Sequence, residues 1–92
     1  MILSFADKET EKLWITERSA RHANIGRVAL RKLLQIHAAE KLSDLAVPPG
    51  NRLEALAGKR KRQHSIRVND QWRICFIWTD NGPADVAICD YH

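Results

Sequence analysis

Asp90, Tyr91 and His92 set a carboxylate, a phenol and an imidazole in a row at the end of the sequence, directly after the strand-like run Asp85-Val86-Ala87-Ile88-Cys89. A chain end is usually frayed and idle, so these three proton-handling groups are either such a tail or a functional set. Upstream, Arg52, Lys59, Arg60, Lys61, Arg62, Arg67 and Arg73 stand against only Glu54 and Asp70, a net charge of +5 for residues 52–73. Residues 1–51 carry net +2 and residues 74–92 net −3. The positive charge is therefore concentrated in the middle of the chain. Such a patch favours polyanions, because each phosphate neutralised releases condensed counterions; its other reading is a solvated, solubilising loop. Acid, base and cation supplied together are what cleavage of a phosphodiester requires.

RNA brings its own nucleophile, the 2′-hydroxyl. A protein has only to deprotonate it, neutralise the phosphate as charge builds, and protonate the leaving 5′-oxygen, each contributing roughly 10²–10⁴ in rate. Arginine suits the phosphate because its planar fork binds it bidentately, which points to Arg73 with Arg67 in support. Arg73 lies between Trp72 and Ile74, inside a strand pattern where a charge is costly to bury alone. The expectation is an anion-binding cleft on an uncovered sheet face; the alternative is a water-exposed face or a structural ion pair. His92 is the expected proton-transfer residue, since imidazole titrates near neutrality, and the α-carboxylate of a terminal histidine would favour its charged form. Asp90 serves as base or orients His92, and Tyr91 stacks on a base or donates to the phosphate. Cys75 and Cys89 make no zinc spacing with any histidine, and no metal or other cofactor is expected.

These groups need elements to hold them. Ile2–Phe5 reads as a short strand. Asp7 is a good N-cap for a helix over about 8–17, with Leu13 and Trp14 on its apolar side. Asn24 is expected to cap a second helix whose buried face is Ile25, Val28, Ala29, Leu33 and Ile36. Ser43-Asp44-Leu45 suggests one further turn, and Pro48-Pro49-Gly50 a stop. The period then changes to two. Ser65–Val68 and Trp72–Trp78 form a hairpin across Asn69-Asp70, and Asp80–Pro83 turns into a last strand, Asp85–Tyr91. Alternation places Ile66, Val68, Ile74, Phe76, Trp78, Val86 and Ile88 on one face, against the helices, and Arg67, Arg73, Cys75, Cys89 and Tyr91 on the other. Strict alternation leaves Asp90 and His92 on the core side, so either the strand bends or bulges near its end or these two reach around the sheet edge. The fold class is α+β: two N-terminal helices packed on one face of a small, mostly antiparallel β-sheet.

Ninety-two residues allow one domain, 1–92, with one modest core. Apolar content of 45% and charged content of 28% are ordinary for a soluble protein. No apolar run approaches the roughly 20 residues that span a bilayer, and the N-terminus has no signal-peptide pattern, so a cytoplasmic protein with no membrane partner is expected. The cysteines read as small buried hydrophobes, Trp14, Trp72 and Trp78 as core, and His22 and His37 as helix-surface residues.

The blocks Arg52-Leu53-Glu54-Ala55-Leu56, His64-Ser65-Ile66-Arg67-Val68-Asn69-Asp70-Gln71-Trp72-Arg73-Ile74 and Asp90-Tyr91-His92 together resemble the HigB toxins, the plasmid maintenance system killer branch of the RelE/ParE superfamily. The run Pro48-Pro49-Gly50-Asn51-Arg52-Leu53-Glu54 is similar to the GraT-like subgroup. The resemblance covers nearly the whole chain. It implies a RelE-like microbial ribonuclease fold and a type II toxin that inhibits translation as a ribosome-dependent endoribonuclease, an mRNA interferase cutting mRNA in the ribosomal A site by metal-independent acid/base chemistry. It implies as partners the 70S ribosome with its mRNA and a neutralising HigA-type helix-turn-helix antitoxin, with operator DNA reached only through that antitoxin. Carried over by position, Arg73 matches the family's active-site arginine, and Asp90, Tyr91 and His92 its C-terminal catalytic group. Some members have a histidine and, three residues later, a lysine where this chain has Glu54 and Ala57. Glu54 is then a substitute acid/base, and Lys59, Arg60, Lys61, Arg62, His64 and Arg67 are the expected RNA-binding set. The alternative function is a non-catalytic module of the same fold that binds RNA, the ribosome or only its antitoxin; a third is a free, ribosome-independent ribonuclease.

Overall fold

Asp7 caps the first helix as expected. Its backbone is extended and its carboxylate accepts the Thr10 amide at 2.7 Å, opening α1, Lys8–Thr16. Glu9 and Glu11 put negative charge in the first turn, where the helix dipole favours it. Glu17, in the left-handed region at φ 61°, closes the helix by donating its N–H to the Leu13 carbonyl at 2.8 Å. The structure, a computed structural model, describes residues 1–18, 22–58 and 62–90.

The second helix, α2, spans Gly26–Ala38, and here the expected cap is wrong. The N-cap position is Ile25, with no side-chain cap bond, not Asn24. Burial sets the start instead: Ile25 is 7% exposed and enters the core, while its N–H is satisfied by the His22 carbonyl at 3.1 Å. The expected turn at Ser43–Leu45 lies within a 3₁₀ helix, Leu42–Ala46. The stop at Pro48-Pro49-Gly50 is not a plain one, because Pro49–Asn51 forms a second 3₁₀ turn. Asn51 is wholly buried there.

Among the described residues four strands follow: β1 Glu54–Ala55, β2 Gln63–Arg67, β3 Trp72–Thr79 and β4 Gly82–Asp90. They form one antiparallel meander in the order β1-β2-β3-β4. β1 is too short to leave a period-two pattern and escapes sequence reading. The expected turn over Asp80–Pro83 narrows to Asp80-Asn81, with Gly82 and Pro83 already in β4. Ile2–Phe5 is not a regular strand, yet it lies along β4 in the parallel sense: Phe5 bridges Val86, and Leu3 and Ala6 donate to the carbonyls of Pro83 and Val86 at 2.8 and 2.9 Å. Gly82, at φ 134°, permits this approach, since a Cβ there would stand 2.6 Å from the Met1 carbonyl oxygen.

The core forms where alternation places it. Leu13, Ala29, Leu33 and Ile36 from the helices meet Ile66, Ile74, Phe76, Val86 and Ile88 from one sheet face. Trp14, Trp72 and Trp78 pack against this cluster. Thr10 is buried with it, and its hydroxyl accepts the Ile88 amide at 3.0 Å, fastening α1 to β4. The histidines are less superficial than expected. His22 is 3% exposed and meets the Trp72 ring edge-on, and His37 accepts the Ile2 amide at 3.2 Å while lying 5.0 Å from the Trp14 ring. Both are drawn in because an imidazole offers an apolar ring and a polar atom at once.

Candidate active site around Arg73

On the sheet face turned away from the helices, Arg73 of β3 stands in register with Arg67 of β2 and Cys89 of β4. Two residues along, Ser65 of β2 is level with Cys75 of β3 and with Glu54 of β1. Period-two geometry therefore gathers Arg73, Arg67, Ser65 and Glu54 on one side.

Arg73 is not on an open surface, and the expected uncovered cleft is corrected at this point: the residue is only 6% exposed. Burying a guanidinium costs several kcal/mol unless its donors are satisfied. Here they are. Nε donates to the Ser65 hydroxyl at 2.7 Å, and Nη2 donates to the Arg52 carbonyl at 2.6 Å and to the Ser65 carbonyl at 3.3 Å. The Glu54 carboxylate, half-exposed at 45%, lies 3.6 Å from Nε. Hydrogen bonds to a charged group contribute about 1.5–3 kcal/mol each, enough in sum to offset the desolvation. Arg52 supplies its carbonyl from the left-handed region, at φ 46°, directly after the Pro49–Asn51 turn. That turn is fixed from below: Asn51 Nδ2 donates to the Leu45 carbonyl at 3.1 Å and to Gln35 Oε1 at 3.0 Å.

The other expected site residues divide. Arg67 shares the Arg73 face and pairs with Asp70 three residues on. Glu54 is brought to Arg73 by strand β1. Arg62 is exposed in the turn before β2. His64 is not brought to Arg73. It alternates onto the helix-facing side, stacks over Phe76 at 6.4 Å, and leaves a buried Nδ1 with no hydrogen-bond partner among the described residues. The reason is plain in the strand: once Ser65 and Arg67 face Arg73, His64 and Ile66 must face away. Asp90 is level with Trp72 rather than with Arg73, exposed, and accepts Gln71 Nε2 at 3.3 Å. Tyr91, His92, Lys59, Arg60 and Lys61 lie outside the described residues.

Ser65 and the Arg52 carbonyl are the parts of the site that sequence reading missed. Ser65 had a signal, standing two residues before Arg67 and so on the same face. The carbonyl had none, because a backbone acceptor carries no residue type. The assembled geometry holds one guanidinium rigidly, with a carboxylate beside it. Such a pair can receive an anionic group and, at the carboxylate, a proton.

Residues 3–92 match the family model for the RelE-like toxin of the type II toxin-antitoxin system HigB. The chain is 44% identical to Toxin HigB-1 of Vibrio cholerae serotype O1 (strain ATCC 39315 / El Tor Inaba N16961) over 84 residues, which is 87% of this chain and 86% of that protein. It is also 42% identical over 59 residues to an uncharacterized protein of Haemophilus influenzae, 64% of this chain and 58% of that protein.

Proposed function

The chain belongs to the HigB family of RelE-like toxins of type II toxin-antitoxin systems, and from that premise we propose that it is a ribosome-dependent endoribonuclease that cuts mRNA in the ribosomal A site. A toxin of this type implies an antitoxin partner; the proposed one is a HigA-type helix-turn-helix protein. Among the described residues no helix is long and apolar enough to cross a membrane.

The observation that carries the reading is the fixed guanidinium of Arg73, with Glu54 3.6 Å from it. In the proposed reaction a base removes the proton of the 2′-hydroxyl, and the oxygen attacks the adjacent phosphorus. Arg73 neutralises the charge that builds on the phosphoryl oxygens, the bond to the 5′-oxygen breaks, and an acid returns a proton to it. The products are a 2′,3′-cyclic phosphate and a 5′-hydroxyl. A cation already held in place costs no reorganisation as the charge develops, and such groups contribute roughly 10²–10³ in rate. Glu54 or Asp90 takes the role of base, His92 that of acid, and Tyr91 packs on a nucleobase. The acid/base chemistry needs no metal, because nucleophile and phosphate belong to the same strand.

A second reading takes the same contacts as purely structural. Arg73 is engaged by Ser65, Arg52 and Glu54, as a structural ion pair would be, which favours a non-catalytic module that binds RNA, the ribosome or only its antitoxin. Expression in growing cells separates the two. Mapping mRNA 5′ ends by primer extension should reveal new ends within codons of translated messages, lost when His92 is deleted or Arg73 replaced by Lys. Growth arrest without new ends would establish the second reading, and efficient cutting of naked RNA would remove the ribosome requirement.

A further inference from the structure

We infer that the phosphate-binding surface does not stop at Arg73 but continues past Arg67 and Arg52, around the β1–β2 edge, to Lys32 and Arg31 on α2, as a track for RNA phosphates flanking the cut linkage. The inference rests on the nuclease reading and adds to it where the rest of the strand lies.

One short turn joins the two ends of the track. Its last residue, Asn51, accepts Lys32 Nζ at 2.5 Å, and the next residue, Arg52, gives its carbonyl to Arg73 at 2.6 Å. Asn51 is wholly buried and donates to Gln35 Oε1 and to the Leu45 and Val47 carbonyls at 3.0, 3.1 and 3.4 Å. Lys32 is thus held by a rigid acceptor rather than waving in solvent. An ammonium has three donors, and among the described residues Asn51 is its acceptor. Neither Lys32 nor Arg31 has a carboxylate within ion-pair distance among the described residues.

The local electrostatics point the same way. Partial burial, then the charges of Arg31 and Arg67, hold the Lys32 amine below its ordinary pKa. Folding has crowded like charges here at a cost and supplied no acid on α2 to relieve them. Arg67 already has Asp70 beside it, so a bound anion relieves chiefly Lys32 and Arg31. An RNA strand fits better than an isolated anion, because the cations extend from the guanidinium at the proposed cut site and an RNA backbone presents phosphates in series. Arg52 is exposed beside Arg73 and completes the path at the edge.

The test measures binding of a 2′-O-methyl oligoribonucleotide, which lacks the attacking hydroxyl, by fluorescence anisotropy across a salt series. The wild type is compared with Lys32→Met, Arg31→Gln and, as a charge-matched control on α1, Lys8→Gln. For every phosphate no longer neutralised, the slope of log K against log salt should fall by about 0.7. That fall, with a several-fold weaker Kd, is expected for Lys32→Met and Arg31→Gln but not for Lys8→Gln. Arg31 is exposed on its helix, so its variant keeps the test valid if Lys32→Met fails to fold. Unchanged slopes for both α2 variants, or equal losses for the control, would overturn the track, as would variants that keep RNA binding and lose only antitoxin binding. Such results leave mRNA cleavage by the wild type standing; salt-dependent binding together with no new mRNA 5′ ends on expression in cells would instead sink the nuclease reading and keep the track.

Discussion

Arg73 Nε and Ser65 Oγ meet at 2.7 Å across two neighbouring strands, the serine wholly buried and the arginine nearly so. The hydroxyl accepts one guanidinium hydrogen bond without adding bulk to a buried face. Replacing it separates two consequences, one on folding and one on the aim of the cation.

Ser65→Ala should lower stability by about 1–3 kcal/mol, the cost of leaving a buried charged donor short of an acceptor. Thermal unfolding measures this part. If Ser65 also positions Arg73, in-cell mRNA cleavage should fall further than the loss of folded protein accounts for. Cleavage that merely tracks the folded fraction would confine Ser65 to a structural role.

Arg73→Lys keeps the charge and loses the fork. A lone ammonium lacks the two nitrogens that donate separately to the Ser65 hydroxyl and the Arg52 carbonyl. The expected result is a folded protein with cleavage reduced roughly 10²–10³-fold, read from the yield of new mRNA 5′ ends at matched expression. Retention of near-wild-type cleavage would mean that charge alone suffices and that the fixed geometry is incidental.

Asn51→Ala removes side-chain partners of Lys32, Gln35, Leu45 and Val47 in one step. Several buried groups are then left short, and a destabilisation of about 2–3 kcal/mol is expected. For a chain of this size that is a fall in Tm of roughly 8–24 °C. Calorimetry gives the shift, and a change of only a few degrees would show that water replaces the amide easily.

Lys32 supplies a pH dependence. Its amine is held below the ordinary lysine range, by burial first and by Arg31 and Arg67 after it. Between the folded value and the ordinary one, about 10.4, the unfolded chain binds more protons than the native one, so stability rises with pH across that alkaline window. The penalty is fully present at neutral pH and is relieved as the amine loses its proton. Urea unfolding over a pH series should show this rise in the wild type and a flatter profile in Lys32→Met. Identical profiles would mean that the crowding is relaxed in solution.

Much of the architecture could be read from the residues in order. The Asp7 cap, the 3.6-residue spacing of Ala29, Leu33 and Ile36, and the alternation of Ile66, Ile74 and Phe76 are local patterns, and local patterns dictate local structure and which face is buried. The same alternation assigned Arg67 and Arg73 to one face; because β2 starts at Gln63 rather than Ser65, it extends to His64 and turns that residue away from them, against its reading as part of one RNA-binding set with Arg67. Asn24 misled because its cap preference is worth only about 1 kcal/mol, less than burying Ile25 one residue later.

What surrounds Arg73 was decided by the tertiary structure alone. The Arg52 carbonyl that accepts from Arg73 lies 21 residues away in sequence, on a left-handed residue after a 3₁₀ turn, and a backbone acceptor leaves no trace in composition or period. β1 spans two residues and has no pattern of its own; it exists because β2 offers it an edge. Asn51 likewise reads as a loop residue until the packing of α2 and the two 3₁₀ turns closes over it. Side-chain chemistry and period are properties of a sequence taken residue by residue, whereas whether a charge is exposed or gripped depends on which distant backbone folds against it.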